Sequence, residues 1–351
     1  MKILAFETSC DDTAVAVIED GTKVLSNVRI SQSDHEAWGG VVPELAARLH
    51  AENWRRTYEQ ALETAKCSMQ DIDAVAVTQG PGLQTSLLTG TTAATFLAHL
   101  YQKPLIPVHH IYGHICSSLL ERKPSDIQFP VLVLTVSGGH TSMYVWKSFC
   151  EVELLGTTLD DAAGEAFDKT ARMLGLGYPG GPIVSDRALK GNREQYDLPR
   201  IYLAKESLDF SFSGLKSAIF RLVEAEKDAH GVLSEQFVND VCASFEKAVE
   251  RIFHKKITRV LERFPDIQQV HFVGGVSANT YLRSSFETFL KKQGRALLRP
   301  KNFAYCTDNA AMIGAAAQCL YNQFGDRVFT ASVSPLSRWD LSVFLQNLQS
   351  K

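Results

Sequence analysis

No CxxC pair, no apolar run long enough to cross a bilayer, no low-complexity tract and no large excess of one charge sign occur in the 351 residues. Each absence excludes something. The seven cysteines stand singly from Cys10 to Cys319, so neither a disulfide framework nor a paired-cysteine zinc or redox site is expected. An odd, unpatterned set fits a reducing compartment. No stretch approaches the roughly 20 apolar residues of a membrane span. The opening "MKILAFETSC" meets Glu7, then Asp11 and Asp12, too early for a signal sequence. The expected location is therefore the cytoplasm, or an organellar matrix if the source is not bacterial, with no membrane partner. A formal net charge of −3 gives no global attraction to nucleic acid. One local exception is Arg251, Lys255, Arg259 and Arg263, spaced four apart on one helical face. Either Glu250 and Glu262 balance that stripe, or an external anion does. Arg48, Arg55 and Arg56 are further basic candidates.

What is present reads as a soluble-type globular chain, 45% hydrophobic and 21% charged, long enough for two domains or one bilobal unit. Its plan repeats. "KILAFETS", "AVAVIE" and "TKVLSNVRIS" are three strands, with an acidic turn "CDDT" after the first and the hairpin turn Asp20-Gly21 before the third. "FPVLVLTV", "SMYVWK" and "CEVELLG" repeat the set with the glycine turn "SGGHT". A strand, a glycine turn and a long helix follow in each half: "IDAVAVTQGPGLQTSLLTGTTAATFLAHL" and "IQQVHFVGGVSANTYLRSSFETFLKK". Each half then ends with a short strand entering another helix.

The expected class is α/β, two lobes around a cleft faced by glycine turns. The first lobe is expected at residues 1–125 and the second at 126–305, with a helical insertion at about 156–240. The final part, about 306–351, would pack back on the first lobe. "FSFSGLKSAIF" in the insertion reads as a serine-capped helix start.

Three features carry chemistry. "SGGHT" and "GGVSAN" present backbone N–H groups that suit phosphate oxygens, the second at a helix start. Asp11 and Asp12 form an acidic turn able to orient a metal, a water or a leaving group, or simply to stabilise the turn. His110 and His114 share a helical face at i and i+4, good geometry for one metal ion. The repeat pairs their helix with the one entered through "YCTDNAAMIG", which would bring Asp308 from the other lobe to the histidines. By the residues alone, the pair stays between a metal site and two packed or capping imidazoles. A zinc protease of the HExxH type is disfavoured, because Ile111 stands where the general-base glutamate is needed.

"FETSCDDTAVAV", "GGVVPELAARLH", "TQGPGL", "HIYGHI", "VSGGHT", "DDAAGEAFDKTARMLGLGYPGGP", "FSFSGLKSA", "GGVSAN" and "YCTDNAAMIG" together resemble the bacterial and organellar tRNA threonylcarbamoyl transferases, the TsaD family, once described as a glycoprotease. The resemblance runs through nearly the whole chain. It implies a duplicated actin/Hsp70-like (ASKHA) fold with two RNase H-like lobes around a central nucleotide cleft. It implies transfer of the threonylcarbamoyl group from threonylcarbamoyl-AMP to N6 of the adenosine 3′ to the anticodon, in tRNAs reading codons that begin with A.

By motif matching, His110, His114 and Asp308 would hold one divalent metal, iron ahead of zinc. Thr135, Val136, Ser137, Gly138, Gly139, Asp168, Gly181 and Asn279 would contact substrate. Asp11 is the candidate for orienting the amine or taking its proton. Partners implied are tRNA and, for a bacterial member, a TsaB-like paralogue and a TsaE-like ATPase. The sequence departs from the family pattern at Tyr112, where bacterial members commonly carry glutamate, and at Ser185, where many carry aspartate. A small-molecule carbamoyltransferase of the same fold and a noncatalytic subunit are the alternatives; the intact histidine pair argues against the second.

Overall fold

β1 (Lys2–Glu7) is apolar from Ile3 to Phe6, the pattern of a strand covered on both faces, and it is the central strand of a five-stranded sheet. β2 (Asp12–Glu19) pairs antiparallel with it, and β3 (Lys23–Ser31) pairs antiparallel with β2. α1 (Pro43–Ala65) follows, opened by Pro43, where the missing N–H costs nothing, and closed by Lys66 in the left-handed region. β4 (Ala74–Gly80), α2 (Gln84–Leu100) and β5 (Leu105–His109) add two parallel strands and their crossover helix. α3 (His110–Cys116) continues directly from β5. The computed structural model describes residues 1–199, 203–204 and 206–350.

The second sheet is built from β6 (Val131–Val136), β7 (Thr141–Ser148), β8 (Glu151–Thr157), β9 (Gln269–Val273) and β10 (Ala296–Leu298). Its order is β10-β9-β6-β7-β8 and that of the first sheet is β3-β2-β1-β4-β5, so each sheet runs third, second, first, fourth, fifth in its own strands. β6 pairs parallel with β9 as β1 does with β4. The duplication legible in the sequence is thus a duplication of topology. Between β8 and β9 come α4 (Ala163–Met173), α5 (Gly180–Ala188), α6 (Ser213–His230) and α7 (Glu235–Arg263), and α8 (Thr280–Lys291) precedes β10.

α6 differs from the expected serine cap. Its N-cap position is Phe212, without a side-chain cap, and Asp160 does the capping from fifty residues away. Its carboxylate accepts the Phe212 N–H at 2.8 Å and the hydroxyls of Ser211 and Ser213 at 2.5 and 2.7 Å. These bonds hold the Asp160 carboxyl below its usual range although burial opposes them.

α9 (Ala310–Phe324) and α10 (Leu341–Ser350) complete the chain. Two units result. The first comprises Met1–Gln128, Trp146–Glu153 and Pro300–Lys351, and the second Phe129–Val145 and Leu154–Arg299. The first unit's core gathers Leu4, Phe6, Val15, Val17, Val75 and Val77 with Leu97 of α2. The second is aromatic, with Phe167, Phe210, Phe212, Phe245, Phe253 and Phe286 buried. Each such ring contributes about 2 to 3 kcal/mol by burial. No described helix is long and apolar enough to cross a membrane.

Candidate functional site

The chain leaves β5 and turns at once into α3, with His109 as N-cap accepting the Ile111 N–H at 3.2 Å. That start places His110 and His114 one helical turn apart, both buried. α3 packs on α9, and Gly113 makes the close approach feasible, since a Cβ there would lie 2.7 Å from Ile313 Cδ1. Asp308, two residues before α9, is carried in by this packing. It lies in the first unit with the histidines, not in the second, where the repeat would have put it.

The three side chains converge. Asp308 Oδ1 is 3.1 Å from His114 Nε2 and 3.7 Å from His110 Nε2, and one donor atom from each residue lies within 4.8 Å of the others. The two rings stand edge to face, 4.7 Å between centroids. His114 Nδ1 is buried with no hydrogen-bond partner among the described residues, and it is the other nitrogen, Nε2, that turns to Asp308. Two imidazoles and a carboxylate suit a divalent transition metal, and the set fits one.

A fourth residue, unassigned by the sequence reading, organises the set. Glu7, the last residue of β1, is fully buried, with Oε2 3.0 Å from His110 Nδ1. Thr78 donates its hydroxyl to the same oxygen at 2.6 Å, and the Ser9 N–H donates to Oε1 at 2.5 Å. Burial opposes charge on His110, but Glu7 and Asp308 outweigh it and raise its pKa to about 9. Burial likewise pushes Glu7 up, and His110 more than reverses the effect, leaving Glu7 below its ordinary value. A carboxylate on Nδ1 keeps Nε2 turned to Asp308.

The β1–β2 turn carries Asp11 and Asp12 in the same unit. His50 of α1 holds it, donating from Nε2 to the Cys10 carbonyl at 2.9 Å while Nδ1 accepts from Thr13 Oγ1 at 2.7 Å. Asp12 accepts from Ser31 at 2.5 Å and from Arg29 at 3.3 Å, and Arg29 also reaches Thr307, next to Asp308. Burial nevertheless raises the Asp12 carboxyl to about 7. Tyr112 faces elsewhere: it is buried, donates to the Phe149 carbonyl at 2.5 Å and sits near Phe344.

The remaining candidates gather in the second unit. Residues 135–139 run from the end of β6 into the turn before β7, and the Gly164 N–H at the start of α4 donates to the Ser137 carbonyl at 3.2 Å. Gly274 takes φ of +90°, and a Cβ there would also lie 2.5 Å from the Val136 carbonyl oxygen. Asp168 of α4 accepts the Gly180 N–H at 2.8 Å, and the Gly181 N–H also helps to offset the burial that raises its pKa.

Asn279 is committed within the protein. Its oxygen caps α8 through the Leu282 N–H at 2.8 Å, and its amide donates to Ser185 at 2.7 Å and to Glu246 at 2.6 Å. Glu246, buried in α7, also receives Arg193 at 3.1 Å, and Arg193 lies 4.0 Å over the Tyr281 ring. The only mark of this network in the sequence is an acid inside an apolar helical face.

Two members of the basic stripe on α7 bond within the chain. Arg251 pairs with Asp197 at 3.1 Å and Arg259 donates to the Ser207 carbonyl at 3.1 Å.

The family model described as TsaD, tRNA N6-adenosine threonylcarbamoyltransferase, matches residues 23–315. A protein of that description from Staphylococcus epidermidis is 47% identical over 320 residues, covering 91% of this chain and 92% of its own. One from Brucella anthropi is 46% identical over 353 residues, covering 97% and 95%. Among solved structures, component A of (R)-2-hydroxyglutaryl-CoA dehydratase from Acidaminococcus fermentans matches with a TM-score of 0.53 at 14% identity, over 92% of this chain and 98% of that one. Full-length HypF matches with a TM-score of 0.59 at 13% identity, over 92% of this chain and 46% of that one. At such identities the structural matches speak for fold, and the fold is the duplicated actin/Hsp70-like α/β class.

Proposed function

The chain belongs to the tRNA N6-adenosine threonylcarbamoyltransferase family and is a transferase that modifies tRNA; from that premise we propose how its residues divide the work. The donor is threonylcarbamoyl-AMP and the acceptor is N6 of the adenosine 3′ to the anticodon, in tRNAs reading codons that begin with A. N6 forms a bond to the carbamoyl carbon, the carbon–oxygen bond to the phosphate breaks with its electron pair leaving on AMP, and one N6 proton is lost. An exocyclic adenine amine is a weak nucleophile, so the acceptor must be held and the donor activated.

The observation that carries this reading is the convergence of His110, His114 and Asp308 within 4.8 Å, beside the buried Glu7. These three residues would hold one divalent ion; two histidines and a carboxylate accept both iron and zinc, and the family resemblance puts iron ahead. Such an ion supplies Lewis acidity toward an oxygen of the donor. Glu7 fixes the His110 ring, and Asp11 in the β1–β2 turn orients the amine or receives its proton. In the second unit the amides of residues 135–139 and Gly181 bind donor oxygens, with Asp168 and Asn279 shaping that surface. A TsaB-like paralogue and a TsaE-like ATPase are the partners in a bacterial cytoplasm.

The test is single-turnover transfer of labelled threonylcarbamoyl from its AMP anhydride to unmodified tRNA, with and without those partners. Wild type is expected to transfer, and His110→Ala and Asp308→Ala to lose at least about 100-fold. Transfer unchanged in both variants would remove the metal from the reading, and no transfer by wild type would remove the donor.

A further inference from the structure

We infer that Arg29, on the edge strand β3, is a positioning residue for Asp308, and through it for the ion that the histidine cluster would hold; this rests on the metal reading of that cluster. Its Nη1 donates to Thr307 Oγ1 at 2.5 Å, one residue before Asp308, and to Asp12 Oδ2 at 3.3 Å. One guanidinium nitrogen therefore ties the β1–β2 turn to the segment that delivers the ligand carboxylate.

The register of the β2–β3 hairpin explains why this residue can reach. Asp12, Ala14 and Ala16 share one face of β2 and stand opposite Ser31, Arg29 and Asn27 of β3. The two alanines keep that face shallow, and α9 packs along β2 and β3. A Cβ on Gly314 would lie 2.7 Å from Ile18 Cγ1, further along β2. Arg29 stands diagonal to Asp12, a separation that a long side chain spans. Its length also carries it past Ala14 to the chain entering α9.

The segment is held on both sides of Asp308. Asn27, two residues before Arg29 on the same strand face, accepts the Ala311 N–H at 3.3 Å. Asn309 caps α9 by accepting the Met312 N–H at 3.0 Å and donates to the Thr307 carbonyl at 2.8 Å. These bonds fix the backbone after Asp308, and Arg29 fixes the residue before it. Charge gives a second reason. Asp308 and Asp11 both act on the Asp12 carboxyl, so three carboxylates repel one another here. A cation bonded to Asp12 and to the neighbour of Asp308 opposes that repulsion. Ser31 holds the other Asp12 oxygen at 2.5 Å, so the acid that anchors Arg29 is itself anchored. An ion is bound tightly only when all its ligands are already oriented, which is why contacts one step removed change affinity.

The experiment measures the affinity of the full chain for zinc(II) and for cobalt(II) by competition with a chromophoric chelator. Wild type is compared with Arg29→Ala, Arg29→Lys, Thr307→Val and the double variant Arg29→Ala, Thr307→Val. Thr307→Val keeps the side-chain shape and removes the hydroxyl. Lys23→Ala, on the same strand and paired with Glu19, is the control. Arg29→Ala is expected to bind either ion about fivefold to tenfold more weakly, with an unchanged circular dichroism spectrum. Arg29→Lys should recover part of the loss. The double variant should fall within about twofold of the weaker single variant, because two residues acting in series do not add. Affinity equal to wild type in Arg29→Ala overturns the inference. So does a double variant whose loss is the product of the single losses, which would separate Arg29 from Thr307. An equal loss in Lys23→Ala also overturns it, leaving only an effect of net charge. His110→Ala separates the two levels. If wild type binds the ion, His110→Ala does not, and Arg29→Ala matches wild type, only this inference falls. If wild type binds no ion, or His110→Ala binds it equally well, the metal reading falls and this inference with it.

Discussion

Glu7 Oε2 lies 3.0 Å from His110 Nδ1, and both side chains are buried. A carboxylate at that atom fixes which imidazole nitrogen points to Asp308 and makes it more basic. Glu7→Gln keeps the shape and removes the charge. Metal affinity, measured by competition with a chelator, is expected to fall about 10-fold to 100-fold while the circular dichroism spectrum is unchanged. Unchanged affinity would reduce Glu7 to a structural acid.

Much of this site was legible and one part was not. His110 and His114 announce themselves through i, i+4 spacing after an apolar strand, and Asp308 through a polar turn entering an apolar helix. The repeat pairs α9 with α3 by pattern and so sets Asp308 in the other half, whereas the buried alanine-rich face of α9 packs on α3, β1 and β2. Glu7 carries no functional signal in the sequence: a carboxylate closing a strand is usually solvated, and here it is buried with His110, Thr78 and Ser9 bonded around it. Asn279 shows the opposite limit. The helix start was readable, but whether its amide faced a ligand or the protein depended on Glu246, thirty-three residues earlier.

Asp12 gives a pH dependence of definite sign. Its carboxyl is raised from 3.8 to about 7 in the folded chain by burial, which Arg29 and Ser31 only partly offset. The folded state binds that proton more tightly, so this group's contribution falls as pH rises from about 4 through 7. The ceiling is about 4 kcal/mol. Asp12→Asn is therefore expected to raise Tm relative to wild type at pH 8, with the gap closing by pH 4.5. A gap constant with pH would mean that Asp12 does not carry the raised pKa.

Glu246 binds Arg193 and Asn279 at once in a buried position. Removing it leaves a guanidinium without its partner, so Glu246→Ala should cost about 3 to 5 kcal/mol in denaturant unfolding. Glu246→Gln should cost less, and is the variant for kinetics. Because it disturbs Asn279 and Ser185 but not the histidine cluster, it should raise KM for the anhydride several-fold with metal content intact. A fall in metal content would tie the network to the wrong site.

Gly274 meets the Val136 carbonyl through a contact that no side chain can share. At φ of +90°, a Cβ would lie 2.5 Å from that oxygen, and backbone cannot yield as a flexible side chain does. Gly274→Ala therefore combines an unfavourable dihedral with a clash and should cost about 2 to 4 kcal/mol, read from chemical denaturation. The strain falls between β6 and the turn that leads to Asn279, so what survives folding should bind the donor weakly while retaining metal. A variant as stable as wild type would show that this turn moves freely of the strand, and the amides of residues 135–139 would then lose their fixed neighbour.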